Sequence, residues 1–161
     1  LSDITHMDKK EDKISLSISK PKKPMKKSEI TYDFTPKAIM TLMAHFQKEA
    51  LLYRETGIAH SAALTNHSDI LSFSDDLNRH NAAYKCIGKL IKANETPSGK
   101  CLIISGKIDA KLMTACITLD IKVIISRTGI TNKAFTLAKS HEIGVIGFCR
   151  GKHFTVFNAT S

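Results

Sequence analysis

Four short stretches place a positively charged side chain beside a hydroxyl or a glycine. "DDLNRHN" carries Arg79 and His80, and "SGK" carries Ser105, Gly106 and Lys107. "SRTGIT" carries Ser126, Arg127 and Thr131, and "CRGKH" carries Arg150. Groups of this kind bind anions: a guanidinium or ammonium neutralises a phosphate, helix-start N–H groups donate to it, and glycine lets backbone approach closely. Arg79 and His80 break a local rule. They stand at the start of a helical pattern, where the peptide dipoles favour anions over cations. An anion seated among these loops would account for them. The competing reading is structural, with each cation a surface residue or a partner of Asp75, Asp76 or Asp109. Asn81 and Lys85 follow along the same helix, and His60 stands in "TGIAHSAAL" just before a strand.

Other chemistries lack their residues. "SGK" is not a phosphate-binding loop, since the G-x-x-x-x-G-K-[ST] spacing is missing, and there is no G-x-G-x-x-G. A zinc deaminase needs H-x-E and P-C-x-x-C, whereas His60 is followed by Ser61 and Ala62. The four cysteines are Cys86, Cys101, Cys116 and Cys149. None forms a C-x-x-C pair and none joins a histidine at zinc spacing, so neither a metal site nor a catalytic group is expected. All four lie in apolar patterns and read as reduced core thiols. Cys149, next to Arg150, has the one cationic neighbour in sequence and is the lone candidate for a reactive thiol.

The elements that must position these stretches follow from patterning. Thr35-Pro36 reads as a cap followed by proline at the first helical position. Ile39, Leu42, Met43, Phe46, Ala50 and Tyr53 then mark one face of a helix ending near Gly57. "SAALTN" and "ILSFSD" read as a hairpin about "HSD". A helix capped by Asp75 or Asp76 leads to the strand "CLIIS". A helix from about Asp109 to Leu119 leads to "KVIIS", one from about Thr131 to His141 leads to "VIGFC", and "HFTVFNA" closes the chain as a strand. Alternation of strand and helix predicts an α/β fold with a parallel βαβαβαβ core, hairpins adding antiparallel edges. The strand-to-helix loops of such a sheet emerge at one edge, where ligands bind. All four cationic stretches fall in those loops.

The chain of 161 residues has 24 basic and 15 acidic residues, for a net charge of +9. Residues 1–27 hold eight lysines and four acids, and read as an N-terminal segment with one short strand, "ISLSIS", and a Lys/Pro linker. Residues 28–161 read as one domain. The basic segment could bind nucleic acid, but no aromatic stacking platform accompanies its lysines. No apolar run approaches the ~20 residues that cross a bilayer, and no signal-peptide pattern opens the chain, so a cytoplasmic location is expected. The sequence starts at Leu1, which points to a fragment or a processed product.

In order along the chain, "TGIAHSAAL", "DDLNRHNAAYKCIG", "ISGKI", "IISRTGITNKAFTLA" and "IGVIGFCRG" resemble the formate dehydrogenase accessory proteins of the FdhD family. That family's pattern runs T-G-G-x-H-x-A-A-L, E-D-x-G-R-H-N-A-x-D-K, S-G-R, S-R-x-x-P-T-x-x-A and G-F-x-R-G, and the resemblance covers about residues 35–158. It implies a three-layer α/β/α fold like that of cytidine deaminase, without the zinc chemistry. It implies a sulfur carrier, of sulfurtransferase type, that takes sulfur from a cysteine desulfurase and delivers it to the molybdenum (or tungsten) bis-guanine-dinucleotide cofactor of formate dehydrogenase. GDP would serve as an analogue of that cofactor. A homodimer is also implied. Carried over by position, His60, Asp76, Arg79, His80, Asn81, Lys85, Ser105, Gly106, Lys107, Ser126, Arg127, Thr131 and Arg150 would hold the cofactor.

The sequence departs from the pattern at several positions. Ile58 and Asn78 stand where the family has glycine, Tyr84 replaces an acid, Lys107 an arginine and Ile130 a proline. Lysine neutralises phosphate but lacks the planar fork of arginine. The family's relay cysteines lie in a C-x-x-C loop before the first helix, and this sequence has no such pair. Either the relay belongs to a longer protein, or this is a cofactor- or nucleotide-binding homologue that has lost sulfur transfer.

Overall fold

A computed structural model describes residues 4–10, 13–18, 35–66 and 68–159. Ile4–Lys10 (β1) and Lys13–Ile18 (β2) pair antiparallel as a two-stranded sheet of their own. The strand read in "ISLSIS" is therefore β2, while the Lys/Pro run and the boundary at residues 27–28 lie outside the described residues.

The remaining elements are α1 (Pro36–Glu49), α2 (Leu51–Thr56), β3 (His60–Thr65), β4 (Ile70–Asp76), α3 (Arg79–Lys92) and β5 (Cys101–Ile104), followed by α4 (Ala110–Thr118), β6 (Val123–Ser126), α5 (Asn132–Ser140), β7 (Gly144–Arg150) and β8 (His153–Asn158). One mixed sheet runs β4-β3-β5-β6-β7-β8. β5, β6 and β7 are mutually parallel, β3 is antiparallel to both β4 and β5, and β8 is antiparallel to β7.

The helix-linked strands share one direction, as patterning predicts, but β3 lies between β4 and β5, so the contiguous parallel core is three strands wide. Burial explains the order. Ser61 to Thr65 of β3 is buried without interruption, as an interior strand must be. β4 alternates between buried and half-buried positions, which suits an edge.

Two apolar clusters make the layers. Ala82, Cys86 and Leu90 of α3, Leu112 and Met113 of α4 and Ala134 of α5 pack on one face against Leu102, Ile104 and Ile124. Ile39, Leu42, Met43 and Phe46 of α1 pack on the other against Ala63, Ile103, Ile125 and Cys149. The result is the three-layer α/β/α arrangement.

Helix starts follow the capping residues. Thr35, Asp109 and Thr131 accept from the N–H groups of Ala38, Leu112 and Ala134 at 3.2, 3.0 and 3.3 Å. Two expectations change. α3 is capped by Asn78, which accepts from the N–H groups of His80 and Asn81, while Asp75 and Asp76 end β4. The single helix expected up to Gly57 divides at Ala50 (φ −74°, ψ 60°), and α2 closes on Gly57 in the left-handed region (φ 72°). No described helix is long and apolar enough to cross a membrane.

Candidate functional site

β5, β6 and β7 aim their carboxyl ends at one edge of the sheet, and β3, running the opposite way, begins there with His60. Hydrogen bonds lock this edge. The Ser105 N–H donates to the Ser61 carbonyl at 3.0 Å, and the Ser61 N–H donates to Ser105 Oγ at 2.9 Å. His60 Nδ1 lies 3.5 Å from the same Oγ. The Arg127 N–H donates to the Ile104 carbonyl at 3.2 Å, and Arg150 Nε donates to the Arg127 carbonyl at 3.0 Å.

Over this edge, α1 and α2 enclose a cleft of two adjoining hollows. One, of about 460 Å³, is lined by Ala44, Phe46, Gln47, Lys48, Ala50, Tyr53, Arg54, Ser61, Ser105 and Arg127. The other, of about 360 Å³, is lined by Tyr53, Gly57, Ile58, Ala59, His60, Ser105, Arg127, Thr128 and Arg150. Tyr53, Ser105 and Arg127 line both and form the waist between them. Lys48, Arg54, Arg127 and Arg150 bring positive charge to the lining, and no lining residue is acidic.

Arg127 is the central group. Its guanidinium carbon stands 5.7 Å from the centre of the Tyr53 ring. Its Nε is buried without a hydrogen-bond partner, and no carboxylate pairs with it among the described residues. An aromatic face orients a guanidinium without neutralising it. A buried N–H without an acceptor costs stability unless a ligand supplies one.

Arg79 and His80 have a different explanation. Arg79 Nη2 donates to Asp109 Oδ2 at 2.7 Å, and His80 Nε2 lies 3.0 and 2.8 Å from the two oxygens of the same carboxylate. A carboxylate of the protein thus pairs with both cations, while Arg79 Nε stays buried without a hydrogen-bond partner. Burial works to raise the Asp109 carboxyl, but hydrogen bonds from Arg79, His80 and the Leu112 N–H outweigh it and hold the group well below the usual carboxylate range. The Arg79 stem packs behind the cleft instead: a methyl added at Gly106 would sit 3.2 Å from Arg79 Cβ and 3.3 Å from His60 Nδ1.

Of the sequence-derived set, the cleft gathers His60, Ser105, Arg127 and Arg150. The others brace it or stand apart. Lys85 reaches the Asp75 carbonyl and the Asp76 carboxylate at 2.9 and 3.2 Å. Asn81 lies in the first turn of α3, its N–H on the Asn78 cap. The Ser126 hydroxyl donates to the Gly106 carbonyl at 2.7 Å and accepts from the Thr128 N–H, tying two strand-end loops together. Thr131 caps α5, and Lys107 is exposed outside the cleft lining.

Cys149 is corrected as a reactive thiol. It is 1% exposed in the cluster beneath α1, and burial pushes its thiol up to about 11. Alternation along β7 turns it inward while Arg150 turns outward. Burial likewise pushes Cys101 up to about 12 and raises Cys86 and Cys116.

Sequence reasoning missed Lys48, in the last turn of α1, and Tyr53 and Arg54, which the break at Ala50 carries into α2 and the cleft lining. It named Asp109 as one of three possible partners for the cations, and the structure selects it.

The fold and the cleft define an α/β/α domain with a cleft of cationic lining at one edge of its sheet. A family model, that of the FdhD/NarQ family, matches residues 7–161, and the chain belongs to this family. Sulfur carrier protein FdhD of Staphylococcus aureus (strain MRSA252) is 34% identical over 131 residues, covering 81% of this chain and 49% of that protein. Its counterpart in Staphylococcus haemolyticus is 31% identical over the same shares. The chain thus spans about half the length of the curated relatives it matches. Among solved structures, one described as a formate dehydrogenase accessory protein from Desulfotalea psychrophila superposes with a TM-score of 0.76 at 21% identity, covering 98% of this chain and 68% of that one. A pyrimidine deaminase–reductase from Thermotoga maritima superposes with a TM-score of 0.53 at 17% identity, over 70% of this chain and 36% of that one, a likeness of fold alone.

Proposed function

We propose that this chain is the cofactor-holding part of a formate dehydrogenase accessory protein. It seats a phosphate arm of a molybdenum (or tungsten) bis-guanine-dinucleotide in the cleft, with Arg127 at the waist and Arg150, Ser105 and His60 beside it. The observation that carries the reading is Arg127: a guanidinium held in place by an aromatic ring, with a buried N–H left unbonded, in a lining that has cations and no acid. Pyrophosphate oxygens are acceptors of the required charge.

The relatives' name, sulfur carrier, fits a cargo that receives sulfur. Relay needs an accessible thiolate. The four cysteines of this sequence are buried, and burial raises each thiol. Sulfur supplied by a cysteine desulfurase therefore reaches the cofactor through a thiol other than these four, and the formate dehydrogenase catalytic subunit accepts the product.

Amide exchange during a GDP titration tests the binding. Protection is expected at residues 50–60, 105–107, 126–129 and 148–153. Unchanged exchange there at millimolar GDP defeats the proposal.

A further inference from the structure

The six-stranded sheet ends in two edge strands, β4 and β8, and the chain treats them differently. An edge presents a row of backbone N–H and C=O groups with which another extended chain can pair. Along β4 that row is guarded from α3. Lys89 Nζ donates to the Phe73 carbonyl at 2.8 Å, and Lys85 Nζ donates to the Asp75 carbonyl at 2.9 Å. Charged side chains laid along an edge keep other strands off it.

β8 has no such guard. Among the described residues, no strand pairs with its outer side and no side chain bonds to its backbone. Its sequence, "HFTVFN", holds no lysine, proline or acid, and is rich in the aromatic and β-branched residues that suit a pleated ladder. The bulge on β8 falls at its far end, where Ile146 and Val145 of β7 face Val156 and Asn158, so residues 153–156 stay regular. Phe154 packs into the cluster beneath α1. Val156 shares its face, two residues on, and is 52% exposed. A strand laid along β8 would cover it.

Charge decides which strand. The turn before β8 carries Lys152, the strand opens with His153, both are exposed, and no acid occurs from Ile143 to Ser161. We propose that β8 is a docking edge for an extended, acidic segment of a partner protein, which joins the sheet as a further strand with its carboxylates beside Lys152 and His153. Main-chain bonds would supply the affinity, and the acids would steer the segment and set its register. Two copies of a chain at +9 repel, which disfavours the same edge of a second copy as the occupant. The inference does not depend on what the cleft holds.

Fluorescence anisotropy tests it on the 161-residue chain. The probe is a fluorescein-labelled peptide of about eight residues, alternating valine and threonine and ending in glutamates. Two controls carry lysines in place of the glutamates, or a fully N-methylated backbone. The acidic peptide is expected to bind saturably and to slow amide exchange at residues 153–158. The N-methylated and lysine peptides should each bind roughly tenfold or more weakly, the first for want of ladder donors and the second for want of charge. Lys152→Glu should weaken the acidic peptide and strengthen the lysine one, a reversal that a merely structural turn residue would not produce. No binding at millimolar acidic peptide overturns the proposal, as does equal affinity for the N-methylated peptide or protection confined to residues 70–76. Protection of residues 153–158 that appears in the chain alone as its concentration rises, with a doubled mass in sedimentation, gives the edge to a second copy and overturns the assignment to an acidic partner.

Discussion

Replacing Asp109 with alanine removes one carboxylate from three partners at once. The Leu112 N–H loses its cap acceptor, worth about 1 kcal/mol. His80, whose side chain is 16% exposed, loses a charge-assisted bond worth roughly 1.5 kcal/mol. Arg79 is 39% exposed, so solvent screening cuts its share to roughly 0.5 kcal/mol. The sum is about 3 kcal/mol, which for a domain of this size lowers Tm by roughly 10 °C. Asp109→Asn keeps the cap and an acceptor oxygen, so it should lose about half as much. The pH dependence carries a definite sign. The folded carboxyl is depressed, so below about pH 5 the unfolded chain binds more protons than the folded one. The stabilisation is fully present above the ordinary aspartate pKa of about 3.9 and is lost as pH falls toward the folded value. Thermal denaturation of wild type and Asp109→Ala, followed by circular dichroism from about pH 7 down to about pH 2, should show a gap that narrows at acid pH. Equal Tm values near neutrality, or a gap that stays constant into acid, would refute the reasoning.

Three further outcomes are expected. Gly147→Ala should destabilise by roughly 2 kcal/mol in urea titration, because its methyl would lie 2.6 Å from the Phe157 ring and 3.0 Å from the Thr128 carbonyl, which is backbone and cannot swing aside. A thiol-reactive chromophore at about pH 7.5 should label none of the four cysteines until the protein unfolds, since all are buried; fast labelling of Cys149 in the native state would contradict its place in the core. Tyr53→Ala should weaken GDP binding several-fold by releasing Arg127, whereas Tyr53→Phe should keep it, because the ring and not the hydroxyl faces the guanidinium.

What the sequence disclosed depends on how local the cause was. "LIIS" and "VIIS" are buried strands in the structure because a continuous apolar run has few other places to go. The helices at Asp109 and Thr131 start where an oxygen on the side chain can take an orphan N–H. Arg127 and Arg150 converge because parallel strands deliver their ends to one edge, a consequence of topology that spacing already contained. The rest depended on contacts between distant segments. Arg79 and His80 look like ligand groups in isolation; the sequence offers Asp75, Asp76 and Asp109 as possible partners, and only the fold selects Asp109, 30 residues beyond Arg79. Nothing in "QKEALLYRET" marks the break at Ala50, yet that break turns Tyr53 from an expected core position to one that is 40% exposed beside Arg127. The insertion of β3 beside β5 is a pairing choice, visible in sequence only as the difference between a continuous apolar run and an alternating one.

The central claim is that Arg127 is an unneutralised cation waiting for phosphate. Calorimetric titration of GDP into wild type and Arg127→Ala, with circular dichroism confirming that both are folded, tests it most directly. The account predicts saturable one-site binding to wild type and an affinity at least about tenfold weaker in the variant, the loss of one charge-assisted contact. Equal affinity in the two proteins, or an Arg127→Ala protein that no longer folds, would contradict it.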